Sequence, residues 1–227
     1  MKIAYQNENV TLWHGDCREW AGKADALIAD PPYGIAYKPG KFWNGVGIVG
    51  DQVAFDPAWL LSMELPSVLW GANAYASRLP DCYGWLIWNK RDRTSKALPG
   101  SDAELAWTNC VATVEIFTKV WMPHTIRGEE VLHPTQKPVG LMGWCMEKAK
   151  VPAGATVLDP YAGSGTTLIA ALETGRKAIG VEIDARWVEV ARRRLERWHA
   201  QGRLDFGTAN KVPSVKDLAE GRANDER

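Results

Sequence analysis

Two short segments carry residue types that could do chemistry together. In the first, Asp159-Pro160-Tyr161-Ala162-Gly163-Ser164-Gly165-Thr166-Thr167, a carboxylate is followed by two glycines and three aliphatic hydroxyls. The apolar Ala155-Thr156-Val157-Leu158 before it reads as a buried strand, and Thr166–Glu173 after it as a helix stopped by Gly175. Glycines at a strand-to-helix turn let the backbone bend sharply and approach a ligand closely. The helix N-terminus then offers N–H groups to a polar or anionic group. Glu182 lies at the end of the next predicted strand, Lys177–Ile183, 23 residues beyond Asp159. A carboxylate there can accept hydrogen bonds from both ribose hydroxyls. No lysine follows Gly165, so the loop is not a Walker phosphate loop, and Leu168 occupies the third glycine position of a dinucleotide fingerprint. What remains is an adenosine-type ligand without pyrophosphate, such as S-adenosyl-L-methionine, or a tight turn of the kind any α/β protein contains. Asp159 favours such a ligand over a phosphate-bearing one, because a carboxylate repels phosphate and attracts an ammonium.

The second segment is Asp30-Pro31-Pro32-Tyr33, which ends the predicted strand Ala26–Ala29. Proline fixes φ, removes the N–H donor and pushes the preceding residue toward extended geometry. The result is a stiff arm that offers only acceptors, the Asp30 carboxylate and the Pro31 carbonyl, beside the flat face of Tyr33. An aromatic amino group has two hydrogens to donate and sits on a flat ring, so the arm complements it. Two acceptors on those hydrogens favour a pyramidal nitrogen whose lone pair can attack an electrophilic methyl. Asp30 then takes up the proton as the N–C bond forms. A plain proline-rich turn is the alternative.

The elements that must position these segments follow from the apolar pattern. Val10–Trp13, Ser67–Trp70, Trp85–Trp88 and the longer Val111–Val120 read as further strands, and Ala185–Ala200 as an amphipathic helix. Strand–loop–helix–strand–helix over residues 155–200 is a parallel βαβ unit, giving an α/β, doubly wound, mostly parallel sheet. Residues 34–55 and 89–102 are glycine-rich or basic loops. Trp85, Trp88 and Trp107 sit in apolar patterns and are expected in the core. Asn73, after the strand ending at Gly71, is a candidate contact or a turn residue.

Composition bounds the classes. The chain has 227 residues, 46% hydrophobic and 24% charged, enough for one domain with a real core. Lys+Arg and Asp+Glu both number 27, which excludes a basic coat but not a basic patch. Cys17, Cys82, Cys110 and Cys145 form no CxxC pair, and His14, His124, His133 and His199 form no HExxH, so a metal centre is not expected. A polar start and the lack of a long apolar run point to a soluble, intracellular protein, away from membranes.

Taken together the segments resemble the amino-methylating DNA methyltransferases, which methylate adenine N6 or cytosine N4, over roughly residues 10–200. Asp30, Pro31, Pro32 and Tyr33 match the family's catalytic motif, and Asp159–Thr167 its cofactor loop. Finding the catalytic motif before the cofactor loop resembles the permuted beta group. The resemblance implies a Rossmann-like S-adenosyl-L-methionine-dependent methyltransferase domain over residues 1–204 and a polar, flexible tail over 205–227. It implies cofactor contacts from Asp16, Cys17, Lys137, Asp159, Tyr161, Ala162, Gly163, Ser164, Gly165, Thr166, Thr167 and Glu182, with Asp16 accepting from the cofactor's adenine. Lys137 enters through His133-Pro134-Thr135-Gln136-Lys137-Pro138, which resembles the family segment leading into a cofactor-contacting helix.

Asp rather than Ser at position 30 resembles the adenine-directed members. Cytosine-N4 transfer, a non-catalytic DNA-binding subunit of the same fold and an RNA methyltransferase are the alternatives. The expected partner is double-stranded DNA, its target base flipped out onto Tyr33, with Tyr37 or Trp43 as wall. Lys38, Lys41, Lys90, Arg91, Arg93 and Lys96 would track phosphates. The recognition region within residues 90–132 is short, so a homodimer or a companion restriction or recognition subunit is a further expectation.

Overall fold

A computed structural model describes residues 1–38, 47–91, 101–122, 125–126 and 131–205. Among the described residues eleven strands run β1 Lys2–Gln6, β2 Val10–His14, β3 Ala26–Ala29, β4 Ser67–Trp70, β5 Gly84–Asn89, β6 Ala103–Thr108, β7 Val114–Thr118, β8 Trp121–Met122, β9 Thr125–Ile126, β10 Thr156–Asp159 and β11 Lys177–Glu182. The helices are α1 Ala58–Leu61, α2 Val139–Lys148, α3 Thr166–Glu173 and α4 Ala185–Asp205. One compact unit spans Met1–Leu195, and a second begins at Glu196, of which the described part is the C-terminal end of α4.

Nine strands form one sheet in the order β1-β2-β11-β10-β3-β4-β6-β5-β7, and β8 and β9 pair separately. The run from β2 to β4 is parallel throughout, as expected for βαβ crossovers, while β1, β6 and β5 supply antiparallel neighbours. Every residue of β3 and β4 is buried. These strands read as unbroken apolar runs because both faces of a parallel sheet are covered. β5 instead alternates buried with half-buried residues. Trp88 and Trp107 are buried and Trp85 packs partly buried on the core, as expected.

Six described elements were not anticipated from periodicity: β1, β6, the short pair β8 and β9, and helices α1 and α2. Helix α2 follows directly on Pro138, which ends the extended segment before it, and buries Leu141, Met142, Cys145 and Met146. β7 is shorter than the expected Val111–Val120, because the chain bends at residues 109–113, beside the exposed Asn109, which accepts from the Ser67 amide. Helix α4 continues past the expected Ala200 to Asp205. The rest of the expected tail lies outside the described residues.

The order places β10 beside β3. From β10 the chain crosses through α3 to β11 on one side. From β3 it proceeds to β4 on the other. The connections diverge at this pair, and such a switch point leaves a crevice at the C-terminal strand ends where α/β proteins bind ligands.

Candidate active site

Both chemical segments open onto that crevice. Asp159 ends β10 and Asp30 directly follows β3. On the β10 side, Gly163 and Gly165 take positive φ values of 50° and 81°, and Gly165 caps α3. A Cβ on Gly165 would stand 3.1 Å from Ala191 Cβ, so the glycine also lets α4 pack close. The turn is braced from several directions. The Gly163 amide donates to Glu182 Oε2 at 2.8 Å, and the Asp184 amide to Glu182 Oε1 at 2.7 Å. Ser164 Oγ donates to Gln136 Oε1 at 3.1 Å, and Arg194 reaches the Ser164 carbonyl at 2.8 Å and Thr166 Oγ1 at 3.1 Å. Ala162 bonds the Val181 carbonyl at 2.9 Å. Thus Tyr161, Ala162, Gly163, Ser164, Gly165, Thr166, Thr167 and Glu182 come together as one rigid turn.

Asp159 is 2% exposed, and its partners are the Tyr161 amide at 3.0 Å and the Thr167 hydroxyl. Burial, reinforced by the negative charges of Asp30 and Glu182, pushes its carboxyl up to about 7 despite those two hydrogen bonds. A cation brought against this buried acid would favour its ionised form. Cys17 lies at the far edge of the same crevice, buried, with its thiol against Tyr161 and pushed up to about 11 mainly by burial. Asp16 caps the 3-10 turn Cys17–Glu19 by accepting from the Arg18 amide at 3.0 Å, and it also pairs with the Arg18 guanidinium. Its carboxylate is therefore shared with Arg18 before any ligand arrives.

On the β3 side, the arm is held at three points. Tyr33 donates to Asp30 Oδ1 at 2.8 Å, with Glu104 Oε2 at 3.3 Å as a second acceptor. The ring of Tyr33 rests on Gly71, whose φ is 69° and whose Cβ, if present, would lie 2.0 Å from Tyr33 Cε1. Beyond the arm, buried Asp51 accepts from the Gly34 amide at 2.8 Å and the Tyr37 amide at 2.6 Å. Asn73 is exposed in the 3-10 turn Ala72–Ala74 beside Gly71.

Lys137, expected at the cofactor, stands against the proline-stiffened arm. Its ammonium lies 2.7 Å from Asp30 Oδ2, 2.9 Å from Glu104 Oε2 and 3.0 Å from the Tyr33 hydroxyl, with the side chain 3% exposed. A buried ammonium goes where carboxylates balance it, and here those are Asp30 on the arm and Glu104 on β6. Lys90 is likewise turned inward, paired with Glu104, rather than presented to phosphates, and Arg91 pairs with Asp102 at 2.8 Å. Among the expected phosphate contacts Lys38 is exposed, while Lys41, Arg93 and Lys96, with the wall candidate Trp43, lie outside the described residues.

Glu104 and Asp51 are the site residues that sequence reasoning missed. Glu104 sits opposite Trp88 on β6, and the antiparallel run of β6 brings its N-terminal end to the C-terminal ends of β3 and β4. The available signal was an acid inside the otherwise apolar Ala103-Glu104-Leu105-Ala106-Trp107. Burial would push Glu104 up, but the Lys137 and Lys90 ammoniums outweigh it and hold the carboxyl down to about 2. Burial and the Glu104 charge push Asp30 upward, against the pull of Lys137. His133 packs edge-on against Trp187 with centroids 4.2 Å apart, and burial holds its imidazole down to about 3.

Residues 87–193, just under half of the chain, match the family model described as "DNA methylase" for N6 and N4 enzymes. YubD of Escherichia coli K12, a methylase by its name, is 36% identical over 94 residues, 41% of this chain and 34% of that protein. The DNA adenine methyltransferase YhdJ of the same organism is 45% identical over 64 residues, 28% of this chain and 21% of its own length. The matched segments thus span about a third or less of the curated relatives. Among solved structures, the cytosine-N4-specific PvuII DNA methyltransferase superposes with a TM-score of 0.57 at 14% identity, covering 96% of this chain and 93% of that one. Its likeness shows the fold.

Proposed function

We propose, for a chain whose residues 87–193 match the N6/N4 DNA methylase model and whose fold is that of the PvuII enzyme, that it transfers a methyl group from S-adenosyl-L-methionine to the N6 amino group of adenine in double-stranded DNA. The observation that carries this is the placement of Asp30 and Asp159 on the two adjacent strands of the switch point. One carboxylate serves the amino group and the other the cofactor.

The donor set fits that cofactor. Asp159, buried beside a hydroxyl and an amide, suits its ammonium, and Glu182 at the end of β11 suits its ribose hydroxyls. Asp16 suits its adenine amino group, and Gly163 and Gly165 leave the backbone room to approach. When bound, the cofactor supplies an electrophilic methyl carbon on a positively charged sulfur.

The chain's own residues do the rest. Extruding the adenine from the duplex costs a few kcal/mol. Tyr33 keeps one ring face on Gly71 and offers the other to the flipped base. Asp30 and the Pro31 carbonyl accept the two amino hydrogens and aim the nitrogen lone pair. Asp30 would take up the amino proton as the nitrogen is alkylated by the methyl that the bound cofactor would supply, leaving a neutral thioether. Asp at position 30, and the partial match to a DNA adenine methyltransferase, support adenine over cytosine.

The test is incubation of the protein with methyl-labelled cofactor and, in parallel, mixed-sequence duplex DNA or total RNA, followed by nucleoside mass spectrometry. Label in N6-methyl-2′-deoxyadenosine from the DNA is expected. Label in N4-methylcytosine would replace adenine with cytosine as the target, and label in RNA alone would reject DNA as substrate.

A further inference from the structure

Lys137 has three ammonium hydrogens, and three oxygens surround it: Asp30 Oδ2 at 2.7 Å, Glu104 Oε2 at 2.9 Å and the Tyr33 hydroxyl at 3.0 Å. Every donor is committed to the arm or to its counter-charge. Two of the three acceptors belong to the Asp-Pro-Pro-Tyr segment itself. An Asp30 carboxylate held by Lys137 on Oδ2 and Tyr33 on Oδ1 is fixed in plane, and it keeps lone pairs for an incoming amino hydrogen. Glu104 in turn lies between Lys137 and Lys90. Two ammoniums and two carboxylates therefore make a neutral buried cluster. Such a cluster does not repel a sulfonium, as an unbalanced lysine would.

We propose that Lys137 is a positioning residue for methyl transfer: its ammonium, balanced by Glu104, fixes the Asp30 carboxylate and the Tyr33 hydroxyl for the amino group and makes no contact with the cofactor. This rests on the methyltransferase reading above. It extends that reading to a residue 107 positions from Asp30 in the chain.

The groups facing Asp30 are Lys137 from the segment before α2, Glu104 from β6 with Lys90 behind it, Tyr33 from the arm, Tyr75 from the turn after β4 and Asp159 from β10. Lys137 alone among those in direct contact favours the ionised acid by its charge, while Glu104 opposes it. Removing each should therefore move Asp30 in opposite directions, which a purely structural role would not do. The experiment uses the full chain labelled with 13C-carboxyl aspartate, with Asp30 assigned by the signal lost in Asp30→Asn. In Lys137→Gln the Asp30 titration midpoint rises by about one to three pH units, and in Glu104→Gln it falls. Lys137→Arg, which keeps the charge, stays near wild type. Cofactor affinity by calorimetry stays within about two-fold in Lys137→Gln, while kcat for DNA falls about 100-fold and its acidic limb moves with Asp30.

Should Lys137→Gln fail to fold, Lys137→Gln/Glu104→Gln removes one charge of each sign, and its midpoint is expected between the values of Glu104→Gln and an unpaired acid. A midpoint unmoved by loss of Lys137, a shift of the same sign in Glu104→Gln, or a ten-fold loss of cofactor affinity would overturn the proposal. Opposed NMR shifts in a protein that methylates no DNA would support the network and reject the methyltransferase reading.

Discussion

Asp159→Asn should stabilise the protein while removing its ability to hold the cofactor. The Asp159 carboxyl is pushed to about 7 from the ordinary 3.8, mainly by burial. An acid whose folded value is raised costs nothing below about pH 4, where it is protonated in both states. Between about pH 4 and pH 7 the unfolded chain ionises while the folded one resists, so stability falls as pH rises. Three units correspond to about 4 kcal/mol, the full penalty being present above about pH 7. Asn keeps the shape, accepts from the Tyr161 amide and carries no charge. Half of that figure, about 2 kcal/mol, is a fair expectation once local relaxation is allowed, or roughly 4–8 °C in Tm for a domain of this size. The assay is differential scanning calorimetry at about pH 5 and about pH 8, with and without S-adenosyl-L-methionine. The variant should gain Tm over wild type chiefly at the higher pH and lose the cofactor-induced increase. In wild type, cofactor affinity should climb with pH up to about 7, because the cation binds the ionised acid. Equal destabilisation at both pH values, with cofactor stabilisation retained, would refute the assignment.

Three further outcomes follow from the packing. Gly71→Ala places a methyl 2.0 Å from the Tyr33 ring at a φ of 69°, so kcat should fall at least ten-fold in single-turnover methylation assays while calorimetry shows unchanged cofactor affinity. Asp51→Ala leaves the Gly34 and Tyr37 amides without their acceptor and should cost about 2–3 kcal/mol in urea unfolding, with the arm loop exchanging faster in hydrogen-exchange measurements. Lys90→Gln should leave the salt slope of DNA binding unchanged, because Lys90 is committed to Glu104, whereas Lys38→Gln should reduce that slope by about one.

Local pattern was enough to locate much of the fold. The buried runs Ala26–Ala29 and Ser67–Trp70 and the turn from β10 into α3 are marked by contiguous apolar residues and by glycines, which act within a few positions. The glycine loop, Glu182 and the proline-stiffened arm were legible for the same reason, since spacing along one βαβ unit fixes where they lie. Strand β6 was not legible. Ala103-Glu104-Leu105-Ala106-Trp107-Thr108 has little alternation, and its place between β4 and β5 depends on long-range pairing. That pairing brings Glu104 to Lys137, so the acid's role could not be read either. Lys137 itself was visible in a cofactor-type segment. Its partner is decided by charge balance across the sheet, which no local pattern encodes. Lys90 was misplaced for the same reason, a basic residue beside a loop being taken for a surface one.

The most direct measurement is a crystal structure of the protein with S-adenosyl-L-methionine and a duplex carrying a flipped adenine. The predicted result has the ammonium against Asp159, the amino group on Asp30 and the Pro31 carbonyl, and the nitrogen about 3–3.5 Å from the methyl carbon. A cofactor bound elsewhere on the sheet, or turned so that its methyl carbon faces away from Asp30, would contradict it.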